Sequence, residues 1–113
     1  MSEEDFLQKQ CIQWFKLKYP KLKDLIFHVP NGGYRSPREG RKFKLMGVLP
    51  GVPDLIFLYH SRIFCFELKT KKGTLTKSQK HLHPIWNDHL AENVYIVRSL
   101  DEFIKSIEAI VID

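Results

Sequence analysis

The chain has 113 residues and a formal net charge of +5, and 43% of its residues are apolar, including eight Phe and two Trp. This length fits one domain over residues 1–113, and this apolar content excludes an intrinsically disordered chain. No apolar run approaches the ~18 residues that span a bilayer, and residues 1–5 are acidic, unlike a signal peptide. We therefore expect a soluble, cytoplasmic protein without a membrane partner.

The positive charge is unevenly distributed. Residues 1–50 carry ten Lys or Arg against five Asp or Glu, whereas residues 51–113 carry eight of each. Such a basic half suits a polyanionic partner better than a membrane, although a charge run is often only a solvated face. Two cysteines, Cys11 and Cys65, are too few for a disulfide scaffold, and we expect both to be reduced.

Hydrophobic periodicity and turn residues predict seven or eight elements. Ser2 and the following acids indicate a helix start, Pro20 ends that helix, and Thr76 caps a later one. The two-residue turn His60-Ser61 joins two apolar runs into a hairpin. The predicted elements, in chain order, are a helix over residues 4–18, a strand over 25–29, a glycine-rich loop over 30–37, a short basic helix over 38–46, a turn over 47–53, strands over 54–59 and 62–70, a helix over 76–90, a strand over 93–97 and a helix over 100–112. This α-β-(α)-β-β-α-β-α order predicts an α/β domain with a mixed sheet flanked by helices.

The second hairpin strand carries the strongest chemical signal. Side chains of a strand alternate between two faces, so Glu67 and Lys69 lie on the same face, opposite Phe66 and Leu68. A hairpin centred on residues 60 and 61 brings Asp54 next to Glu67. Two carboxylates and one ammonium are costly to bury unless a partner binds them, and the oxygen ligands suit Mg²⁺ or Mn²⁺. The simpler alternative is a turn aspartate beside an exposed Glu and Lys pair.

These residues resemble a known family. Pro53-Asp54 followed by Glu67-Leu68-Lys69 is similar to the PD-(D/E)xK motif of the restriction-endonuclease-like superfamily. The sequence resembles the VRR-NUC (virus-type replication-repair nuclease) family more closely, in blocks that follow one another along nearly the whole chain. The blocks are His28-Val29-Pro30-Asn31-Gly32-Gly33, Gly51-Val52-Pro53-Asp54-Leu55, Glu67-Leu68-Lys69-Thr70 and Gly73-Thr74-Leu75-Thr76-Lys77-Ser78-Gln79.

The resemblance implies a restriction-endonuclease-like core and a role for each motif residue. Asp54, Glu67 and the Leu68 carbonyl would bind the metal, and Lys69 would orient or deprotonate the attacking water and stabilise the developing charge. Gln79 would hold that water or a neighbouring phosphate. Glu4 would add a carboxylate from the first helix, directly or through water, with Glu3 and Asp5 as competing choices and Gln8 as a lesser one.

Other polar residues are predicted to contact DNA. The ordinary alternatives are a turn for the glycine-rich loop and a solvated face for the basic helix. The predicted DNA-binding residues are Asn31, Gly32, Gly33, Tyr34, Arg35, Arg38, Arg41, Lys42, Lys44, Lys71 and Lys72. Zinc binding by His81 and His83 with a cysteine is not favoured, because no ligand spacing typical of zinc accompanies them.

By resemblance, the protein is expected to be a Mg²⁺-dependent endonuclease that cuts branched DNA such as four-way junctions as a homodimer, in viral or phage replication and repair. Its expected location is the cytoplasm of a bacterium or phage-infected cell, and no nucleotide cofactor is expected. The alternatives are a catalytically silent DNA-binding module of the same fold and a sequence-specific restriction-type enzyme. The dimer surface, the number of metal ions and the cleavage polarity stay open.

Overall fold

The computed structural model describes residues 1–30 and 36–112. Four α-helices and four strands alternate along the chain, and a 3-10 helix follows the first α-helix. The elements are α1 (Glu3–Lys18), the 3-10 helix (Pro20–Leu25), β1 (Ile26–His28), α2 (Pro37–Leu45), β2 (Leu55–Tyr59), β3 (Arg62–Leu68), α3 (Lys77–His89), β4 (Val94–Val97) and α4 (Leu100–Ile110). No helix in the described part of the chain is both long enough and apolar enough to cross a membrane.

The four strands form one mixed sheet in the order β1-β2-β3-β4. β2 is antiparallel to both β1 and β3, and β4 is parallel to β3. A parallel neighbour requires a crossover connection, and α3 provides it. The predicted mixed sheet flanked by helices is confirmed.

The main core lies between one face of the sheet and the helices α1 and α4. Phe57 of β2 and Phe66 of β3 project into it. Their rings meet Phe15 of α1 and Phe103 of α4 edge to face, each with ring centroids 5.2 Å apart. All four side chains are fully buried, so large aromatic surfaces hold the helices on the sheet and fix where the strand ends lie.

The β2–β3 hairpin has the register that the sequence predicts. His60 and Ser61 have φ angles of 47° and 63°, the left-handed conformations of a tight two-residue turn. Leu55 consequently pairs with Phe66. One residue further from the turn, Asp54 and Glu67 lie across from each other at the open end of the hairpin.

Several element boundaries differ from the sequence prediction. Pro20 begins a 3-10 helix that the sequence did not predict, and the strand that follows starts at Ile26 and ends at His28. β2 starts one residue after Asp54, and β3 ends at Leu68. At the open end of the β2–β3 hairpin, the Leu68 N–H donates to the side chain of Asp54 at 2.8 Å. This side-chain bond replaces a main-chain hydrogen bond of the sheet.

Gly51 places the segment before β2 against the first turn of α3. Its φ is +90°, and a Cβ atom on Gly51 would lie 2.5 Å from the Ser78 carbonyl oxygen, which is main chain and cannot rotate away. Both the backbone conformation and the close approach therefore require glycine. This contact fixes the position of Pro53 and Asp54 relative to α3.

We predict that Gly51→Ala lowers the free energy of unfolding more than Gly47→Ala does, as measured by urea denaturation. Gly47 has nearly the same φ, +89°, but open space around it, so its variant isolates the backbone cost. The excess for Gly51→Ala should be about 1–3 kcal/mol, the usual cost of forcing an added methyl group against fixed atoms. Equal losses in the two variants would contradict the packing argument.

Candidate active site

The polar residues that the sequence singles out meet at the open end of the β2–β3 hairpin. Asp54 accepts the Leu68 N–H with one carboxylate oxygen, and its main-chain carbonyl accepts the Val29 N–H at 2.9 Å. The Asp54 carbonyl also lies 2.9 Å from Nδ1 of His28. Asp54 thus joins the ends of β1, β2 and β3.

Glu67 is the buried centre of the site, with only 1% of its surface exposed. Its Oε2 accepts a hydrogen bond from the Gln79 side-chain amide at 3.1 Å. Burial is the main reason that the pKa of Glu67 lies well above its usual range, and the adjacent Asp54 carboxyl raises it further, while Lys69 acts in the opposite direction. Two carboxyl groups this close favour a shared proton or a bound cation.

The other oxygen of Glu67 fits a cation. Oε1 is fully buried and has no hydrogen-bond partner among the described residues. Nε2 of His83 lies 3.3 Å from Oε1. The same nitrogen lies 3.1 Å from the Gly51 carbonyl oxygen, with hydrogen-bond geometry. A buried carboxylate oxygen that lacks a donor is a position where a positive ion is stabilising.

The donor set favours a hard divalent ion. No group of three His, Cys, Asp or Glu side chains in the described ranges could enclose a metal, so a closed zinc site of that kind is not found there. Mg²⁺ instead often takes one or two carboxylates and fills its other positions with water or substrate phosphate. That pattern is matched by the carboxylates of Asp54 and Glu67 together with the Leu68 carbonyl.

Lys69 places an ammonium group in the same site. Only 5% of its surface is exposed, and its main-chain N–H donates to the Val97 carbonyl at 3.0 Å, which continues the β3–β4 pairing. Its charge lowers the pKa of Glu67, which indicates that the two groups are close. A cation held this firmly is suited to stabilise negative charge that develops on a substrate.

Gln79 has two structural tasks that the sequence analysis did not assign to it. As the third residue of α3, it forms a capping box with Thr76, whose N–H donates to Oε1 of Gln79 at 2.8 Å. Oε1 is therefore the acceptor of the amide, and Nε2 is the donor toward Glu67. The same side chain starts the helix and orients the Glu67 carboxylate.

Glu4 is the acid of the first helix that the structure favours. Its charge contributes to raising the pKa of Glu67, and it is half-buried, whereas Glu3 and Asp5 are exposed. Asp5 is also engaged in the capping box of α1, where it accepts the Ser2 N–H at 3.2 Å. Gln8 is half-buried one turn further along α1.

His83 is a site residue that the sequence analysis missed. It is 5% exposed and lies one turn after Gln79, so the i, i+4 spacing on α3 is the signal that would have identified it. Burial lowers the pKa of His83, and the charge of Lys69 lowers it further, against the opposing effect of the Gly51 carbonyl. The lowered pKa favours the neutral ring at neutral pH. Nε2 carries the proton in the hydrogen bond to Gly51, because a carbonyl oxygen can only accept.

The predicted DNA-binding residues divide into three groups. Residues 31–35 lie outside the described residues. The four basic residues of α2 are exposed, as phosphate contacts require; they are Arg38, Arg41, Lys42 and Lys44.

Lys71 and Lys72 are exposed in the turn after β3. Arg98, which the sequence analysis did not single out, holds that turn in shape. Its guanidinium donates to the Thr70 carbonyl at 2.8 Å and to the Gly73 carbonyl at 2.6 Å. The two lysines therefore stand on a braced turn that directly follows Lys69.

The two cysteines are free and buried, as expected. Burial raises the pKa of Cys11 to about 12 and that of Cys65 to about 11. Both thiols are therefore protonated at neutral pH and act as small apolar core residues.

Comparison with solved structures supports the resemblance that the motifs indicated. A structure described as a VRR_NUC domain protein superposes with a TM-score of 0.76 and 28% sequence identity, over 96% of this chain and 88% of that chain. A comparison with protein-family models gives no match, and a comparison with curated proteins gives none either. The shared fold covers nearly the whole chain. This similarity over nearly the whole chain supports the resemblance of the chain to the VRR-NUC family of nucleases.

Proposed function

We propose that this protein is a Mg²⁺-dependent DNA endonuclease whose active site comprises Asp54, Glu67 and Lys69. The single observation that carries the proposal is the buried Glu67 carboxylate, which has one oxygen without a donor and has Asp54 and Lys69 beside it. Mn²⁺ should substitute for Mg²⁺, because the ligands are oxygen atoms.

The protein residues have separable tasks in phosphodiester hydrolysis. Asp54, Glu67 and the Leu68 carbonyl would hold the divalent ion, which supplies Lewis acidity and lowers the pKa of a bound water. Lys69 orients the attacking water and stabilises the charge that accumulates on the phosphate oxygens. Gln79 fixes the direction of the Glu67 carboxylate from behind, and Glu4 adds a further negative charge from α1.

The structure offers an argument against a catalytically silent DNA-binding module. Glu67 and Lys69 are almost fully buried, and burial of ionisable groups costs stability unless they bind something. Exposed cations such as those of α2 would be enough for DNA binding alone. Retaining the buried groups is what a catalytic site requires.

We predict that the protein cleaves labelled DNA with Mg²⁺ and that EDTA stops the cleavage. Asp54→Ala and Lys69→Ala should lower the cleavage rate by about 10²–10³-fold, the usual effect of removing a preorganised charge from a transition state. DNA binding should persist in both variants. Lys105→Ala is the matched control, because Lys105 pairs with Asp101 on the exposed face of α4.

Two results would contradict this assignment. One is cleavage by the wild-type protein that continues in EDTA. The other is an unchanged rate in Lys69→Ala. Binding without any metal-dependent cleavage by the wild-type protein would support the silent module instead.

His83 is proposed as a positioning residue that acts through Glu67 and Gly51. We predict that His83→Phe raises the Mg²⁺ concentration for half-maximal cleavage by about 10–100-fold, the range found when a group that orients a ligand is lost. Mn²⁺ titration by calorimetry should show the same loss without DNA. His83→Gln, which keeps a donor, should recover part of it, and exposed His81→Gln should match wild type. Unaltered Mn²⁺ affinity in a folded His83→Phe protein would exclude this role.

We further propose that the substrate is branched DNA, such as a four-way junction, and that a homodimer cuts it during replication and repair of viral or phage type in the cytoplasm. The support is the family resemblance, together with the match between a two-fold dimer and the symmetry of a junction.

We predict faster cleavage of a four-way junction than of a linear duplex with the same arm sequences, by a species that sediments as a dimer. If only linear duplex of one sequence is cut, the restriction-type alternative replaces the junction proposal. A monomer with full junction activity would eliminate the dimer.

A further inference from the structure

An open groove runs between α1 and the edge strand β1, outside the cluster of Asp54, Glu67 and Lys69. Its volume is about 580 Å³. One face of α1 supplies most of the wall, at positions that recur every three or four residues, as helical geometry requires. Its lining includes Gln8, Lys9, Ile12, Gln13, Lys16 and His28.

One end of the groove adjoins the active site. His28 lines the groove, and its Nδ1 lies 2.9 Å from the Asp54 carbonyl oxygen. The first turn of α1 also lies near the active site, because Glu4 is close enough to Glu67 to influence the pKa of Glu67. Glu4 is one helical turn before Gln8. The groove therefore leads away from the active site along α1.

The groove is cationic and amphipathic. Lys9 and Lys16 are exposed, and neither forms an ion pair within the described part of the chain. The amides of Gln8 and Gln13 alternate with the apolar side chain of Ile12 along the same wall. Asp5 is an acidic residue of the lining, and its carboxylate accepts the Ser2 N–H in the capping box of α1.

The spacing of the two lysines matches a nucleic-acid strand. Lys9 and Lys16 are seven residues apart on α1, which is about 10 Å along the helix axis. Successive phosphates of a stacked strand are about 3.4 Å apart along its axis, so the lysines span about three nucleotides. Ammonium groups can contact the phosphates while the amide and apolar side chains between them face sugars and bases.

We propose that the groove between α1 and β1 binds one strand of the substrate DNA on one side of the phosphate that is cut. This inference rests on the proposed nuclease function and extends it, because it assigns a binding track to α1, where no DNA contact was predicted from the sequence. An acidic peptide has related charge chemistry, but continuity with a phosphodiester-cleaving site favours DNA as the occupant.

The test compares two double variants that remove the same charge. Lys9→Ala with Lys16→Ala removes the groove cations, whereas Lys18→Ala with Lys21→Ala removes two exposed lysines that do not line the groove. Binding of a fluorescein-labelled duplex with a single-stranded tail is followed by anisotropy in EDTA, so that cleavage does not interfere. Circular dichroism and thermal unfolding establish that each variant is folded.

The expected result is a change in salt dependence that is specific to the groove variant. Each lost phosphate contact lowers the slope of log affinity against log salt by about 0.7–0.9, so the slope should fall by about 1.5. Between 50 and 200 mM salt, the wild-type protein should therefore lose roughly eightfold more affinity than the groove variant does. The control variant should keep the wild-type slope and cleavage rate.

The possible outcomes separate this proposal from the proposed function. If wild type cleaves DNA but the groove variant and the control show equal slopes, the groove proposal is overturned and the nuclease stands. If wild type never cleaves but the slope change is specific to the groove variant, the nuclease function fails and the DNA track is supported. If a polyglutamate peptide displaces DNA from wild type but not from the groove variant, the occupant is an acidic peptide and the proposal is wrong.

Discussion

The carboxyl group of Glu67 lies almost completely buried next to that of Asp54. Burying a charge there costs free energy, and much of the surrounding structure offsets this cost. The β2–β3 hairpin brings Asp54 across from Glu67. From α3, Gln79 donates a hydrogen bond to the Glu67 carboxylate, and the His83 ring lies 3.3 Å from it. Lys69 provides the opposite charge two residues later. A buried charge of this kind is stable only when its partners are held in place. The rigid aromatic core under the sheet provides this constraint.

Helix α3 links folding to the chemistry of the site. The amide of Gln79 completes the capping box with Thr76 and also donates to Glu67. The first turn of α3 therefore cannot unwind without releasing the Glu67 carboxylate. Gly51 strengthens the link, because the main chain before Asp54 packs against this same turn. A few contacts thus couple the start of α3 to the position of the segment before Asp54 and to the orientation of the Glu67 carboxylate.

Local patterns were sufficient to predict most of the fold. Helical periodicity located α1 and α3, and the turn at His60-Ser61 set the register that brings Asp54 and Glu67 together. These features depend on neighbouring residues, which is why a sequence can reveal them. The 3-10 helix that begins at Pro20 was missed because its six residues are too few to show an apolar period.

Contacts between distant segments could not be predicted in the same way. His83 approaches Gly51 and Glu67, and Arg98 braces the turn beyond Lys69. Neither residue belongs to a motif. His83 meets its partners because α3 packs against the sheet, and Arg98 meets its partners because the crossover through α3 brings β4 beside β3. The sequence shows that a histidine and an arginine stand at positions 83 and 98. Which groups they contact is decided only when the sheet and α3 have assembled.

Helix α1 connects the candidate active site to the groove beside β1. Its first turn places Glu4 within electrostatic reach of Glu67, and its opposite end presents Lys16 to the groove beside β1. Because an α-helix is stiff over this length, Glu4 and the cations of the groove keep a fixed separation. A strand that contacts these cations would then be positioned relative to the cleavage site, and binding energy along α1 would contribute to the in-line geometry that hydrolysis requires.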